Sequence, residues 1–261
     1  MSERVTVPHI RAMREKGRRV VCVTAYDALF GALADAAGVD LVLVGDSVGN
    51  VLLGYPTTVP VTLEDMLHHT RATRAGVKRA LLVSDLPFGS FQVSVSDAVG
   101  SAVALMKAGA EAVKLEGDYT EQIEACVRAG IPVMGHLGMT PQSVNLFGGH
   151  RVQGKGSKGE SIIDTAKRLE DAGAFSMVLE LIPAELAERI TEAVSIPTIG
   201  IGAGAGCSGQ IQVLYDVLGL SAGSFRHARA FVHGSDCLLD GLRSYTEVVR
   251  DGSFPTSENS F

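Results

Sequence analysis

Five apolar runs in this chain end on a side chain that can ionise or bind a metal. They are Val42-Leu43-Val44-Gly45-Asp46, Leu81-Leu82-Val83-Ser84-Asp85, Ala112-Val113-Lys114-Leu115-Glu116, Pro132-Val133-Met134-Gly135-His136 and Ser176-Met177-Val178-Leu179-Glu180. Parallel strands closed into a barrel bring their C-terminal ends to one face, and barrel enzymes carry their chemistry there. Asp46 and Asp85 end consecutive runs. Two hard oxygen donors in that relation suit Mg²⁺, which takes one or two carboxylates and fills its octahedron with water and substrate. The plain alternative for either aspartate is a turn cap. Ser47 opens a small polar turn, Ser47-Val48-Gly49-Asn50, whose backbone can approach a substrate carboxylate.

Lys114 and Glu116 lie two residues apart and so point the same way from one strand. An inward lysine is costly unless paired, so the two are either a structural ion pair or an anion-binding lysine beside a metal-binding carboxylate. His136 is a candidate for holding substrate, against the alternative of a buried histidine hydrogen-bonded in place. Glu180 follows a strongly apolar strand. Apolar surroundings raise a carboxyl group's proton affinity, which makes Glu180 the candidate general base; its alternative is a salt bridge to an inward lysine or arginine. His68 and His69 fall on a helical pattern and are expected at the surface.

The elements that must position these groups alternate along the chain. Strand patterns cover 20–24, 40–45, 80–85, 112–116, 131–136, 175–180 and 197–202, with 210–215 as an eighth. Helical patterns lie at 29–37, 63–75, 95–108, 120–129, 161–172 and 184–193. A short helix capped by Thr6, with Pro8 in its first turn, opens the chain. Capping-box spacing marks Thr62-x-x-Asp65, Ser94-x-x-Asp97 and Asp118-x-x-Glu121, so Asp118 is expected to be structural. Gly38, Gly76, Gly109, Gly130 and Gly173 stand where helices should stop. Within 112–116 and 175–180 the wholly apolar face would pack on helices, leaving the mixed face to point inward. Length fits too: 261 residues is close to the ~250 of a (β/α)₈ barrel. The expectation is an α/β chain with one barrel domain over 1–261, an N-terminal capping helix and a C-terminal helical extension over 226–249. A doubly wound open sheet is the alternative, though it rarely gathers ionisable groups from so many consecutive strand ends.

A net charge of −6 argues against a general nucleic-acid binder, which needs a basic face. Cys22, Cys126, Cys207 and Cys237 lack CxxC spacing, no apolar run approaches the ~20 residues of a membrane span, and residues 1–19 are charged throughout. Reduced thiols in a cytoplasmic protein follow, with Cys22 in the core. Gly200-Ile201-Gly202-Ala203-Gly204 breaks the dinucleotide spacing at Ala205 and is assigned to close backbone approach at the pocket rim. The long connection 138–160 is either a functional loop or a solvated insertion.

At these residues the chain resembles the ketopantoate hydroxymethyltransferase family. The matching stretches are Thr24-Ala25-Tyr26-Asp27, Val44 through Asn50, Val83 through Phe88, Val113 through Gly117, Gly135 through Ser143, Leu179-Glu180, Gly200 through Gly204 and Phe254-Pro255. The resemblance implies a (β/α)₈ TIM barrel of the phosphoenolpyruvate/pyruvate superfamily type. It also implies Mg²⁺-dependent hydroxymethyl transfer from 5,10-methylenetetrahydrofolate to 3-methyl-2-oxobutanoate, giving 2-dehydropantoate for pantothenate synthesis. Carried onto this chain, it puts Mg²⁺ on Asp46 and Asp85 with Glu116 nearby. Substrate falls to Asp46, Ser47, Asp85, Lys114 and His136, and the base is Glu180. Self-association as a homodecamer is implied by the resemblance alone. The sequence departs from the family pattern at 205–210 and at Tyr215-Asp216, which bears on the folate side. Lys155 and Lys158 are expected to attract the glutamate tail of folate. The rivals are a lyase or mutase of the isocitrate lyase/phosphoenolpyruvate mutase type and a non-catalytic metal-binding barrel. The lyases use a cysteine-containing catalytic loop, a context that none of the four cysteines has.

Overall fold

Short β-branched runs bounded by glycine make strands, and the helices between them force those strands to run parallel. The computed structural model describes residues 3–221 and 225–259, and its chain divides into two compact units, Met1–Val213 and Leu214–Phe261. The first unit opens with α1 (Val7–Glu15), β1 (Val20–Thr24), α2 (Ala28–Ala36), β2 (Leu41–Val44), α3 (Val48–Val51) and α4 (Leu63–Gly76). It continues through β3 (Leu81–Asp85), α5 (Val95–Ala108), β4 (Ala112–Lys114), α6 (Thr120–Arg128) and β5 (Val133–Gly138). Then come α7 (Val144–Phe147), α8 (Lys158–Asp171), β6 (Ser176–Glu180), α9 (Ala184–Ala193), β7 (Thr198–Ile201) and β8 (Gly209–Gln212). All eight strands pair in parallel in sequence order, and β8 closes on β1.

The barrel interior is a layered apolar core. Cys22, Leu43, Val83, Ala112, Met134 and Val178 pack together inside it, and Val5, Ile10 and Met13 plug its N-terminal end. Burying each larger side chain contributes about 1.5–3 kcal/mol, so this core is a firm base for whatever stands on it. Because strand side chains alternate, the next inward positions after Val83, Ala112, Met134 and Val178 are Asp85, Lys114, His136 and Glu180. Val113 and Leu115 face the other way and are fully buried.

The expected caps and helix stops are present with one exception. Thr62 and Asp65 form the expected reciprocal cap, Ser94 accepts from the Asp97 N–H, and Gly109 ends α5 at φ 113°. Asp118 does not cap α6, which begins after Tyr119; its carboxylate instead pairs with Arg168. Gly76 does end α4, as its last residue, though without a positive φ; no side chain fits there because a Cβ would collide with the Ala28 carbonyl of α2. The connection 138–160 is partly ordered by a 3₁₀ turn (Pro141–Ser143) and α7, and α8 starts three residues earlier than the helical pattern suggested. The eighth strand stops at Gln212, two residues short of Leu214, where α10 begins.

In the second unit, α10 (Leu214–Val217) is followed by α11 (Gly234–Arg250) and a 3₁₀ turn (Ser257–Asn259). Residues 238, 242, 245 and 249 recur at helical spacing, which places Leu238, Leu242, Tyr245 and Val249 on one face of α11. Among the described residues, no helix is long and apolar enough to cross a membrane.

Candidate active site

The inward positions at the strand ends converge on one buried cluster. Lys114 Nζ lies 2.8 Å from Asp85 Oδ1, 3.9 Å from Glu116 Oε1 and 3.3 Å from His136 Nδ1. His136 spans two carboxylates, with Nδ1 3.2 Å from Glu116 Oε1 and Nε2 3.2 Å from Glu180 Oε2. Asp46 arrives differently. The inward position after Leu43 is Gly45, where a Cβ would stand only 2.7 Å from Ser47 Oγ and 3.6 Å from Asp85 Oδ2. The missing side chain lets the Asp46 N–H donate to Asp85 Oδ2 at 3.0 Å. Ser47 Oγ in turn lies 2.9 Å from the Tyr26 hydroxyl.

Asp46, Asp85, Lys114, Glu116 and His136 are all buried, while the Glu180 side chain retains 16% of its exposure. Glu180 therefore stands at the open edge of the cluster against an imidazole, not in the wholly apolar setting its strand suggested. The backbone that aims it is unusual: Leu181 has φ 45°, a conformation costly for a bulky residue. Two hydrogen bonds from the 138–160 connection hold this corner, Met139 N–H to the Glu180 carbonyl at 2.8 Å and Gln153 N–H to the Leu181 carbonyl at 2.9 Å.

Electrostatics set the site apart from a simple salt-bridge network. Burial pushes the Asp46 carboxyl well above the usual carboxylate range, and Glu116 and Asp85 add to it. Burial also raises Asp85, with Lys114 pulling the other way. Burial works against the Lys114 ammonium, but Asp85, Glu116 and Asp46 outweigh it and raise its pKa. For Glu116 the burial penalty is overcome chiefly by His136 and then Lys114, so its carboxyl is held low. Burial, and then Lys114, oppose a charge on His136, yet Glu116 and Glu180 push its pKa up to about 9. Against the four carboxyl groups of Asp46, Asp85, Glu116 and Glu180, the cluster sets two basic side chains, Lys114 and His136.

The crowding of Asp46 with Glu116 and Asp85, which raises the Asp46 carboxyl, is what a divalent cation in place of its proton would relieve. Among the described residues no group of three or more His, Cys, Asp and Glu side chains is placed to hold a metal ion, so Asp46, Asp85 and Glu116 do not form a ready three-ligand set. A site of one or two carboxylates, completed by water and substrate, suits Mg²⁺ better than a closed cage would.

Two uncharged residues belong to the cluster although strand-end reasoning passed over them. Gln142 donates its backbone N–H to Glu116 Oε2 at 3.0 Å and its side-chain Nε2 to Asp46 Oδ2 at 2.9 Å. Tyr26 is fully buried and reaches Ser47, and burial raises its phenol pKa. Neither lies at a strand end that carries charge, so only their place within the Thr24–Asp27 and Gly135–Ser143 motifs signalled them. His69 is not simply a surface residue: its Nδ1 lies 2.7 Å from the Tyr26 carbonyl oxygen, whereas His68 is exposed. Lys155 and Lys158 are exposed. Gly204 and Gly206 make their close approach to α9, at Ala184 and Glu188. A cavity of about 260 Å³ lies at the opposite end of the barrel, among Arg4, His9, Lys16, Arg18 and Arg79, remote from this chemistry.

Comparison with known proteins narrows the chemistry. The sequence model of the ketopantoate hydroxymethyltransferase family matches residues 4–257. A 3-methyl-2-oxobutanoate hydroxymethyltransferase from Clostridium novyi (strain NT) is 52% identical, with 98% of this chain and 95% of the relative covered. One from Methylobacterium sp. (strain 4-46) is 53% identical over 98% of this chain and 90% of its own. Among solved structures, phosphonopyruvate hydrolase in complex with oxalate and Mg²⁺ superposes with a TM-score of 0.63 at 14% identity, covering 98% of this chain and 93% of its own. For 2,3-dimethylmalate lyase, a phosphoenolpyruvate mutase/isocitrate lyase superfamily member, the TM-score is 0.62 at 17% identity, with 98% and 92% covered. These two likenesses show the fold alone, the closed parallel (β/α)₈ barrel already described.

Proposed function

The chain belongs to the ketopantoate hydroxymethyltransferase family and is a one-carbon transferase, and from that premise we propose how its strand-end cluster works. The proposed reaction joins 3-methyl-2-oxobutanoate, the methylene carbon of 5,10-methylenetetrahydrofolate and one water, giving 2-dehydropantoate and tetrahydrofolate. The observation that carries this reading is the placing of Glu180 beside His136 at the open edge of a buried carboxylate cluster.

Asp46 and Asp85 would hold Mg²⁺, with Glu116 alongside. When bound, Mg²⁺ supplies Lewis-acid polarisation of the keto acid's oxygen atoms. Glu180 is the group placed to take the proton from C3 of the keto acid, leaving the electron pair on that carbon to attack the methylene carbon. Both bonds from the methylene carbon to folate nitrogens break, and water supplies the hydroxyl oxygen. The proton from C3 and one from water end on the two nitrogens of tetrahydrofolate. The His136 imidazole steadies the Glu180 carboxylate from behind. Lys114, kept protonated by its neighbours, and the Ser47 hydroxyl would bind the substrate's carboxylate or its developing negative charge. A rigid barrel rim gives the alignment that makes such a carbon–carbon bond-forming step fast. On the donor side, Lys155 and Lys158 would attract the anionic tail of folate. Replacing both with alanine is then expected to raise the folate KM at low salt while leaving the keto-acid KM unchanged.

The deciding experiment is proton NMR of 3-methyl-2-oxobutanoate in D₂O with enzyme and Mg²⁺. EDTA and Glu180→Gln controls are included, and the set is repeated with tetrahydrofolate. Metal-dependent loss of the C3–H signal, abolished in the variant, supports the proposal. No exchange from folded, metal-loaded protein would favour a different acceptor or a non-catalytic barrel.

A further inference from the structure

We infer that Gln142 is a positioning residue that fixes which carboxylate oxygens of the cluster remain open to the metal; this rests on the Mg²⁺ reading of the site. It lies 96 residues from Asp46 in sequence, on the 3₁₀ turn after β5, and is buried. Through two different groups it touches two of the candidate metal-binding carboxylates. The backbone N–H donates to Glu116 Oε2 at 3.0 Å, and side-chain Nε2 donates to Asp46 Oδ2 at 2.9 Å. The second Nε2 hydrogen goes to the Leu86 carbonyl at 2.9 Å, immediately after Asp85. Its Oε1 accepts from Gln92 Nε2 at 2.9 Å, and Gln92 Oε1 accepts from the Gly89 N–H at 2.7 Å.

This pattern leaves the amide one orientation. Turned over, its oxygen would face both the Asp46 carboxylate and the Leu86 carbonyl, and its NH₂ would face the Gln92 NH₂. The amide therefore engages Asp46 Oδ2 and not Oδ1, which is the oxygen it leaves for the metal on this inference. At the same time it ties the ends of β2 and β3 to the turn after β5. Donors of this kind around metal ligands typically matter by about 10–100-fold in metal affinity.

The test is Mn²⁺ binding, followed by electron paramagnetic resonance, to the full-length wild type, Asp46→Asn, Gln142→Leu and Gln92→Leu. Alongside it, thermal unfolding and the kcat and KM of the keto acid are measured at several metal concentrations. Expected for Gln142→Leu is Mn²⁺ affinity weakened about tenfold or more with little change in melting temperature. Its turnover should also recover in part as metal is raised, which a merely structural defect would not produce. Gln92→Leu, which leaves Gln142 in place but frees its amide, should weaken Mn²⁺ by a smaller factor. It decides the matter alone if Gln142→Leu does not fold. Wild-type Mn²⁺ affinity in folded Gln142→Leu, or in Gln92→Leu where that variant decides, overturns the inference while leaving the metal reading intact. Wild type and Asp46→Asn binding Mn²⁺ alike would overturn both.

Discussion

Each buried charge in the strand-end cluster is explained by its neighbours. A lysine inside a barrel is tolerable because Asp85 stands 2.8 Å away and Glu116 3.9 Å away, with Asp46 adding to the same field. Glu180 differs from the others in keeping partial access to solvent, as a group that must meet substrate should. General bases contribute about 10²–10⁴-fold, so Glu180→Gln is expected to reduce kcat by that range while Mn²⁺ and keto-acid affinities stay near wild type. Steady-state kinetics paired with a direct binding titration would separate the two quantities. Equal loss of binding and turnover would instead make Glu180 a ligand-holding residue.

The elements are held in register by contacts that join distant parts of the chain. Asp35, near the end of α2, accepts from the N–H groups of Lys78, Arg79 and Ala80 at 3.1, 2.9 and 2.7 Å, just ahead of β3. Burial alone would raise its carboxyl, but these backbone donors outweigh it and hold the pKa below the usual range. Asp35→Asn should therefore cost about 1–3 kcal/mol in urea unfolding at pH 7. A folded-state pKa below the unfolded value of 3.8 adds stability that is complete above that value and is lost as pH falls through the folded one. The gap between wild type and variant should accordingly close under acid. No narrowing between pH 5 and the acid limit would mean the bonds do not favour the charged form. A second joint is the crossing of α2 and α4, where Gly31 meets Thr73 and Gly76 meets Ala28 and Ala32 backbone atoms. Gly76→Ala gains helix propensity yet has no room for its methyl group. The expected net loss is about 1–3 kcal/mol, visible as a lower melting temperature.

At the scale of the whole molecule, stability and chemistry occupy different layers of one barrel. The apolar interior and its plug from α1 lie beneath the carboxylates, so the fold does not depend on a metal for its core. EDTA should abolish turnover, on the proposed function, while circular dichroism still reports folded protein. Restoring Mg²⁺ to a hundredfold over its Kd should stabilise the wild type by about 2.7 kcal/mol. Asp46→Asn should not gain this. An identical melting shift in both proteins would place the cation elsewhere.

Much of this was legible from the chain alone. Alternation of apolar runs with helical spacing specified parallel strands joined by helices, because strand and helix periods of 2 and 3.6 leave distinct marks. The ionisable groups at successive strand ends favoured a barrel over an open doubly wound sheet. The same alternation put Asp85, Lys114, His136 and Glu180 on the inward face, two residues beyond Val83, Ala112, Met134 and Val178. Ionisable groups at the ends of apolar runs stand out because burying them is costly without a partner. What the chain alone left open were the partners themselves. Asp118 has capping-box spacing with Glu121, yet an arginine 50 residues away claims it instead. Gly76 ends α4 as its place in the sequence suggested, but the packing of α2 that leaves no room for a side chain there is not in the local pattern. Glu180 follows an apolar strand, but the imidazole beside it comes from a neighbouring strand. Gln142 has neither charge nor strand position to mark it, and it joins Asp46 and Glu116 only once β2, β4 and β5 have closed around one axis. Periodicity is a local property and survives in one dimension, whereas a hydrogen bond depends on distance in three, which only the closed barrel sets.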